Sequence, residues 1–325
     1  MKGQILMTKR LFILILACLL VFPAAVASGE TVTATLIPVV PSTENAALKA
    51  GRTSVGEAAM ADPLTVTYLD FGTGYTDLNV IIKTLEKYPN LEKVDMFGTP
   101  VWGGHIEDLT ARFPQIEFGW TIRFGDGHSV RTDATAFSTL HFSDSTVHYT
   151  KDISLLRYCK KLKALDFGHN AVDDISWLRD LPDLRVLIIA INRIKDISPL
   201  ADLKNLEYLE IFNNYITDLS PLAGLTHLMD LNLSYNLVQD YSPLYGMTSL
   251  KRLWLYNSVD RRRTPVPPGV LEILGEKLPD CQIDATSEPT LGGWREHPHY
   301  DVIHAMFKTP DYQPFEDSWP DTPAD

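Results

Sequence analysis

The sequence predicts an α/β solenoid, a stack of short coils that share one parallel sheet. Four consecutive 22-residue segments, which together span 162–249, align without a gap. Each segment opens with the alternation of Leu or Ile that is typical of a strand, and each closes with an Asp-x-Ser step that is typical of a turn. A period of about 20 to 50 residues indicates a repeat architecture.

Within each unit, the pattern L-x-x-L-x-L places two apolar side chains on the same side of a strand, as Leu187 and Ile189 illustrate. The Ser-Pro step that follows fits the start of a short helical turn, with Ser198 as an N-cap and Pro199 at the first helical position. One unit buries too few apolar side chains to offset the conformational entropy that folding costs. Neighbouring units must therefore stack, and both ends of the stack need a cover.

An asparagine recurs at the end of each predicted strand. Because it occupies one phase of four consecutive units, it predicts a ladder of inward-pointing amides that satisfy the backbone groups of their own and adjacent coils. The predicted ladder consists of Asn170, Asn192, Asn214 and Asn236.

The consensus L-x-x-L-x-L-x-x-N-x-I/V-x-D-I/L-S-P-L-x-x-L resembles the leucine-rich repeats of bacterial internalins and of the related phosphatase-regulatory class. The resemblance implies a right-handed superhelix with a parallel β-sheet on its concave face, in a bacterial binding protein. The sequence departs from internalins because it has no terminal sorting motif, no immunoglobulin-like segment after the repeats and a flank of longer units. These departures argue against host-cell adhesion.

Upstream of the clear repeats, residues 63–139 predict a flank of longer repeat-like units. Three further strands are predicted, and their first apolar residues are Val66, Leu91 and Ile116. These residues recur at a constant spacing that is slightly longer than the period of the clear repeats. Residues 119–139 contain the turn signal Asp126-Gly127 and predict a hairpin.

The 22-residue repeats, with one degraded copy over 140–161, are expected to span 140–258. In that copy His148 falls at the phase of the ladder asparagines, and Cys159 falls at a leucine phase. Cys281 falls at the first core position of a last predicted strand. Both cysteines are therefore expected to be small buried hydrophobic side chains, and neither is expected to be a nucleophile or to form a disulfide.

The ends of the chain predict export and a cap. Residues 1–27 combine a basic start, an apolar run and a small-residue cleavage site, so a signal peptide and a secreted or cell-envelope protein are expected. An uncleaved anchor and lipidation at Cys18 are the alternatives. Residues 28–62 predict a flexible spacer. Residues 259–325 predict an aromatic-rich cap over the end of the last coil and an acidic tail.

The charge of the chain excludes two classes of partner. The formal net charge is −12, and removal of residues 1–27, which carry three basic and no acidic residues, makes it −15. Nucleic acids and anionic membranes bind clustered Lys and Arg. The one basic cluster of this acidic chain, Arg261-Arg262-Arg263, lies between Asp260 and a Pro-rich turn and is interpreted as a solvated loop. We therefore expect a monomer that binds a protein, peptide or glycan, with no cofactor and no membrane span after signal cleavage.

The strand residues that point away from the core predict where a partner binds. They should face solvent, yet several are large and apolar or aromatic, and exposed patches of this kind mark interaction sites. The alternative is that the cap or the spacer folds over this face. The predicted partner-binding residues are Ile188, Ile191, Tyr208, Phe212, Tyr235, Trp254 and Tyr256.

One cluster suggests enzyme chemistry. His297, His299 and His304 are close enough in sequence to suggest a metal site, although Pro298 is expected to stiffen this segment as a loop. The sequence contains no motif for a nucleophilic serine, a zinc peptidase or a phosphate loop. We therefore expect a non-catalytic binding module. A metal-dependent enzyme that uses these histidines and a structural cell-envelope protein are the alternatives.

Overall fold

Two β-sheets share one hydrophobic core in the computed structural model, which describes residues 54–101, 103–124, 128–140, 147–257, 265–290 and 293–314. The signal peptide and most of the spacer predicted from the sequence lie outside these residues. The first sheet has four strands, of which three are parallel and the last is antiparallel to the third. Its strands are β1 (Tyr68–Asp70), β2 (Lys93–Val101), β3 (Glu117–Phe124) and β4 (His128–Arg131).

The second sheet has seven strands, which are parallel and follow chain order. From β6 to β10 each strand pairs with the equivalent positions of the next unit, as in the pairing of Leu187 with Leu209. The predicted period is therefore the distance along the chain from one strand to its neighbour, and the α/β solenoid is confirmed. The strands are β5 (Ala136–Ser138), β6 (Ala164–Asp166), β7 (Val186–Ile188), β8 (Tyr208–Glu210), β9 (Asp230–Asn232), β10 (Arg252–Trp254) and β11 (Gln282–Asp284).

Helical segments return the chain between strands. The longer units of the flank use α-helices, whereas the 22-residue units use single turns of 3-10 helix. The α-helices are α1 (Val55–Ala58), α2 (Leu78–Leu85), α3 (Gly103–Arg112), α4 (Thr150–Ile153), α5 (Val270–Lys277) and α6 (Pro298–Lys308), and the 3-10 helices are Ser154–Tyr158, Ser176–Asp180, Ser198–Asp202, Ser220–Leu222 and Ser242–Leu244. Among these residues, no helix is long and apolar enough to cross a membrane.

The upstream flank has the strands that the sequence predicts, and β3 and β4 form the predicted hairpin. Its turn, Asp126-Gly127, lies outside the described residues. Helix α1 lies within the range predicted to be a spacer. Ser54 caps this helix and Ala58 is buried, so this stretch of the chain packs on the flank.

An aspartate forms the turn that precedes each 3-10 helix of the clear repeats, from Ser176–Asp180 to Ser242–Leu244. The Oδ1 of Asp196 accepts a hydrogen bond from the N–H of Ser198 at 2.8 Å, and Asp218 and Asp240 repeat this bond at 2.8 and 2.9 Å. The prediction that the serine is the N-cap is wrong, because Ser198 is the first residue of its 3-10 helix. The carboxylate two residues upstream accepts from the N–H of the serine itself, so the aspartate forms an Asx turn that leads into the helix.

The asparagine ladder is confirmed. The Nδ2 of Asn214 donates to the carbonyls of Ile189 at 3.0 Å and Ile211 at 3.2 Å, and its Oδ1 accepts from the N–H of Ile194 at 3.0 Å. Each amide therefore joins its own coil to the preceding one. Equivalent bonds are made by Asn192 and Asn236. Asn170 binds the carbonyls of Phe167 and Gly168 in its own coil, and its Oδ1 accepts from the N–H of His148 in the preceding one at 2.8 Å.

The degraded repeat begins earlier than predicted. Strand β5 pairs with β6 so that Ala136 lies opposite Ala164, a longer separation along the chain than in the regular units, and the strand therefore precedes Leu140. The carbonyl of His148 accepts from the N–H of Ala171 at 2.9 Å, as the carbonyl of Val172 does one coil later. His148 thus takes the core phase of Val172 and not the phase of a ladder asparagine.

The two cysteines beyond the signal peptide are free thiols that pack with the core. Cys159 is fully buried, and Cys281 is partly buried. Burial raises the pKa of Cys281 to about 12 and raises that of Cys159 as well. Both thiols therefore stay protonated at neutral pH, which makes them poor nucleophiles.

Replacing Asn214 by Ala is expected to lower the free energy of unfolding by about 1 to 3 kcal/mol, because buried backbone groups of two coils lose their partners. Chemical denaturation followed by circular dichroism measures the change. The exposed Asn205, whose amide donates to the carbonyl of Pro182 at 3.3 Å, is the matched control. Asn205→Ala should change stability by less than about 0.5 kcal/mol. Equal stability of the Asn214→Ala protein and the wild type would contradict this role of the ladder.

Candidate functional site

Residues 293–314, which we call the strap, run across the outer face of the seven-stranded sheet, the face turned away from the core. At one end, Trp294 packs against Trp254 of β10, with ring centroids 5.3 Å apart. At the other end, the carbonyl of Pro310 accepts a hydrogen bond from the N–H of Ala136 in β5 at 3.1 Å. The strap therefore reaches from the last clear repeat back to the first strand of this sheet.

Helix α6 supplies the apolar half of the strap. His297 caps it by accepting a hydrogen bond from the N–H of His299 at 3.2 Å, and Pro298 stands in its first turn. Helical spacing puts its apolar side chains on one side. These side chains form a second hydrophobic cluster with small and branched residues of the sheet. The cluster includes Ile303, Met306 and Phe307 from the strap and Ala136, Ala164, Val186 and Ile188 from the sheet.

A buried, hydrogen-bonded triad of Asp230, Arg252 and His299 supplies the polar half. The Oδ1 of Asp230 accepts from Arg252 Nε at 2.8 Å, and its Oδ2 accepts from His299 Nδ1 at 2.7 Å. The side chains of Asp230 and His299 are 0% exposed and that of Arg252 is 4% exposed. Burial raises the pKa of Asp230, but the hydrogen bond from His299 and the charge of Arg252 outweigh burial, and the net pKa is lowered.

Trp294 is fixed on the sheet by polar contacts as well as by stacking. Its Nε1 donates to Glu210 Oε1 at 2.8 Å, and its carbonyl accepts from Arg252 Nη1 at 3.1 Å. The hydroxyl of Tyr208 donates to the same carboxylate oxygen of Glu210. The apolar side chains of the strap therefore cover apolar residues of the sheet, and the polar groups of the strap bind polar groups of the sheet.

The predicted exposure of the partner-binding residues is wrong. Five of the seven are buried, and Ile188, Tyr208 and Trp254 lie in the cluster that the strap completes. The physical reason is that so many outward apolar groups are stable only when something covers them. The alternative expected from the sequence, a cap folded over this face, is the arrangement observed. Buried are Ile188, Tyr208, Phe212, Tyr235 and Trp254, while Ile191 and Tyr256 are half-buried.

The histidine cluster is part of the strap. Pro298 begins a helix and not a loop, because a proline fits the first turn of a helix. His297 caps that helix, His299 binds Asp230, and the ring of His304 stacks on Tyr300 with centroids 6.2 Å apart. Across the part of the chain that the structure describes, no three His, Cys, Asp or Glu side chains are arranged to hold a metal ion.

The outer face of the four-stranded sheet carries a group of side chains that sequence reasoning missed. The guanidinium of Arg131 lies 3.7 Å from the centroid of the Phe97 ring. Its Nε and Nη2 donate to the two carboxylate oxygens of Asp133 at 2.8 and 2.6 Å. The hydrogen bond to Asp133 raises the pKa of Arg131, so the group stays charged. We call Tyr68, Lys93, Asp95, Phe97, Arg131 and Asp133 the aromatic-ionic patch.

Contacts among neighbouring strands hold the rest of this patch. The hydroxyl of Tyr68 donates to Asp95 Oδ2 at 2.5 Å, and Lys93 Nζ lies 5.4 Å from the centroid of the Tyr68 ring. A side chain at Gly119 would begin 2.3 Å from Asp95 Oδ1 and 2.7 Å from the Phe97 ring, so only glycine permits this packing. Asp95 is buried and the other patch residues are half-buried. Tyr68 and Lys93 lie at outward-facing positions of the flank strands, so the alternation within the longer units could have identified them from the sequence.

The repeats match a known family. Residues 182–224 match the family model described as Leucine Rich repeats (2 copies), and they form two of the coils that the asparagine ladder joins. The chain therefore contains leucine-rich repeats.

The leucine-rich-repeat protein is similar to several solved structures, but no curated protein sequence matches it. An internalin (InlF) of Listeria monocytogenes is 23% identical with a TM-score of 0.39, and the match covers 72% of this chain and 61% of that one. Internalin C2 of the same organism is 24% identical with a TM-score of 0.37, covering 68% of this chain and 81% of that one. A leucine-rich-repeat protein of Leptospira interrogans is 22% identical with a TM-score of 0.40, covering 68% and 55%. The chain thus spans less than two thirds of the first internalin.

The carboxyl group of Asp166 lies on the outer face of the seven-stranded sheet, and its pKa is raised. Asp166 of β6 is buried and accepts hydrogen bonds from Ser138 Oγ and from the N–H of Gly168, both at 2.9 Å. Burial nevertheless dominates and raises its pKa to about 7. Ionising Asp166 therefore opposes the folded state at neutral pH.

The contribution of Asp166 to stability, measured as the difference between wild type and Asp166→Asn, is expected to decrease as pH rises from about 4 to about 7. A carboxyl group whose pKa is higher in the folded than in the unfolded chain binds its proton more tightly when folded, so folding is favoured below this window and loses that contribution across it. The contribution of Asp166 is about 1 to 4 kcal/mol. Urea denaturation of wild type and Asp166→Asn at several pH values measures it, with the exposed Asp202→Asn as control. Parallel pH profiles for wild type and Asp166→Asn would refute this assignment.

Replacing Asp230 by Ala is expected to cost about 3 to 5 kcal/mol of stability, because Arg252 is left buried without its carboxylate. Asp202 is the matched control, since it binds Arg179 at 3.0 Å with both side chains about half exposed. Asp202→Ala should cost less than about 1 kcal/mol. Thermal and chemical denaturation provide the comparison. Similar losses in the two variants would show that the triad contributes no more than a surface ion pair.

Proposed function

We propose that this leucine-rich-repeat protein is an exported, non-catalytic binding module that engages a protein partner as a monomer. Leucine-rich-repeat proteins commonly bind proteins, because stacked repeats present an extended strand face to a partner. Export is supported by the signal peptide predicted over residues 1–27. The resemblance of the repeat consensus to that of internalins supports a bacterial protein that is secreted or held at the cell envelope.

The aromatic-ionic patch is the observation that carries this proposal. Its Arg and aromatic side chains belong to the residue types that dominate binding energy in protein interfaces. They are half-buried and already held by Asp95 and Asp133, so little side-chain entropy is lost when a partner binds. A strand face is thus still the proposed surface, but on the four-stranded sheet instead of the strapped one.

The two alternative functions have less support. A metal-dependent enzyme would need the three histidines of residues 297–304 to converge. The rings of His297 and His299 lie 4.5 Å apart, but His299 binds Asp230 and the ring of His304 stacks on Tyr300. A structural envelope protein without a discrete partner would have no need of a fixed group of aromatic and ionic side chains. The proposed binding module accounts for both observations.

Arg131→Ala is expected to lower the affinity for the partner at least about 30-fold, which corresponds to the loss of about 2 kcal/mol for an interface anchor. The partner is recovered by cross-linking from secreted and surface material of the producing organism, and its affinity is then measured by titration. Arg179→Ala is the matched control, because Arg179 is an exposed, ion-paired arginine on a 3-10 helix. Thermal unfolding verifies that both variants fold.

The proposal fails if wild type and the Arg131→Ala protein recover the same partners with the same affinity. It also fails if every protein that the wild type recovers is recovered by the Arg131→Ala protein as well. If Arg179→Ala lowers recovery of the partner as much as Arg131→Ala does, the loss results from the change in net charge and not from the patch.

A further inference from the structure

We propose that the outer face of the seven-stranded sheet is a second binding face, which the strap occupies until a helical segment of a partner with the same chemistry replaces it. This segment would present an indole, an imidazole five positions later and an apolar helical stripe, as Trp294, His299 and the Ile303-to-Phe307 turn do. The inference goes beyond the proposed function because it concerns a different sheet.

The contacts of the strap are those of a bound helical peptide. Its helix lays three apolar side chains on a floor of Ala and Val, while Trp294 and His299 each bind one carboxylate of the sheet. These contacts are made by side chains, so another helix with the same side chains at the same spacing makes them equally well. Helix-in-groove recognition uses anchors at this kind of spacing.

The strap is not a strand of the sheet that it covers. Its backbone contacts the sheet region only at its two ends among the hydrogen bonds of the described residues. The carbonyl of Trp294 accepts from the side chain of Arg252, the carbonyl of Pro310 accepts from the N–H of Ala136, and the N–H of Tyr312 donates to Thr135 Oγ1 at 2.7 Å. The ladder of parallel strands beneath it runs unbroken from β5 to β11. Release of the strap therefore leaves the hydrogen bonds of the sheet intact.

The strap also leaves polar groups unsatisfied beneath it. Within the described ranges, Asn232 Nδ2, Trp254 Nε1 and Arg252 Nη2 are buried and have no hydrogen-bond partner. Asn232 and Trp254 lie opposite each other on β9 and β10, and the N–H of Ser234 donates to Asn232 Oδ1, which leaves Nδ2 as a donor. All three atoms are donors. A segment that brings a carboxylate or carbonyl oxygen to this end of the face satisfies groups that the strap does not.

The charge of the face narrows the partner further. Glu210 and Asp230 receive the indole and the imidazole, while Arg252 lies 4.3 Å from the Trp294 ring. At the far end of the strap, the centroid of the Tyr312 ring lies 5.7 Å from Lys163 Nζ. The fitting partner is therefore a helical protein segment with aromatic residues at both ends and a hydrogen-bond acceptor beside its indole, and not a nucleic acid or an anionic lipid surface.

A labelled peptide with the sequence of residues 293–314 tests the proposal on the full chain. The protein is compared as wild type and as Trp294→Ala/Phe307→Ala, which weakens the strap in place. The weakened protein should bind the peptide at least about 10-fold more tightly than wild type, because the competing strap is weaker. A peptide that carries the same two alanines should bind neither protein.

Two control variants show whether peptide binding depends on the outer face of the seven-stranded sheet. Glu296→Ala/Lys308→Ala changes exposed strap positions and should bind the peptide as wild type does. Arg131→Ala should also bind as wild type does, so failure of the patch and failure of this second face are separate results.

Hydrogen exchange of the wild-type protein provides a measurement that needs no variant. Amides of α6 should exchange at least about 10-fold faster than those of β7 to β9, because the strap opens without unfolding of the sheet. Exchange of both sets at one common rate would overturn the proposal. Equal binding of the two peptides to the weakened protein, or no binding of either, would overturn it as well.

Discussion

The solenoid depends on a buried amide that closes each coil onto the coil before it. Asn214 joins the carbonyls of two successive coils and an N–H of the earlier one, and it does so where the backbone leaves the strand and has no ladder partner. The same phase in neighbouring coils repeats the arrangement. With that bond in place, the strands of successive repeats must lie side by side, and their alternate side chains must face either the core or the outer face.

A strictly repeated strand face creates a second problem, because its outward residues are not all polar. Tyr208 and Trp254 face away from the core, and so do the carboxylates of Glu210 and Asp230. The strap solves both parts of the problem, since its helix covers the apolar floor and its indole and imidazole bind the carboxylates. The result is a protein with two different strand faces. One is closed by the chain itself, and the other carries the half-buried aromatic-ionic patch.

The parts of this architecture that sequence could predict are those set by local pattern. The period predicted the strands through Leu187 and Leu209, and the recurrent phase of Asn214 identified the ladder. The start of β5 escaped because an insertion precedes α4, which moved His148 from the ladder phase to a core phase. A repeat period alone does not show where in a unit an insertion lies.

The candidate sites depended on tertiary contacts that no local pattern contains. The helical spacing of Ile303 and Met306 is visible in the sequence, but it does not say which surface the helix covers. Arg131 and Phe97 come together only because β4 turns back on β3 in a hairpin whose register places Arg131 opposite Thr121. The outward residues of the seven-stranded sheet are unusual in the sequence because several are large and apolar. Nothing in the sequence distinguishes a partner from the strap as their cover.

The central claim is that the strap lies across the outer face of the seven-stranded sheet in the resting protein. Double electron-electron resonance between spin labels at Lys308→Cys on the strap and Lys204→Cys on the repeats tests it directly, with the native cysteines replaced by alanine because Cys159 lies in the hydrophobic core. Both lysines are exposed, so the labels disturb no buried contact. A single narrow distance distribution is predicted. A broad distribution that extends to long distances would contradict a docked strap.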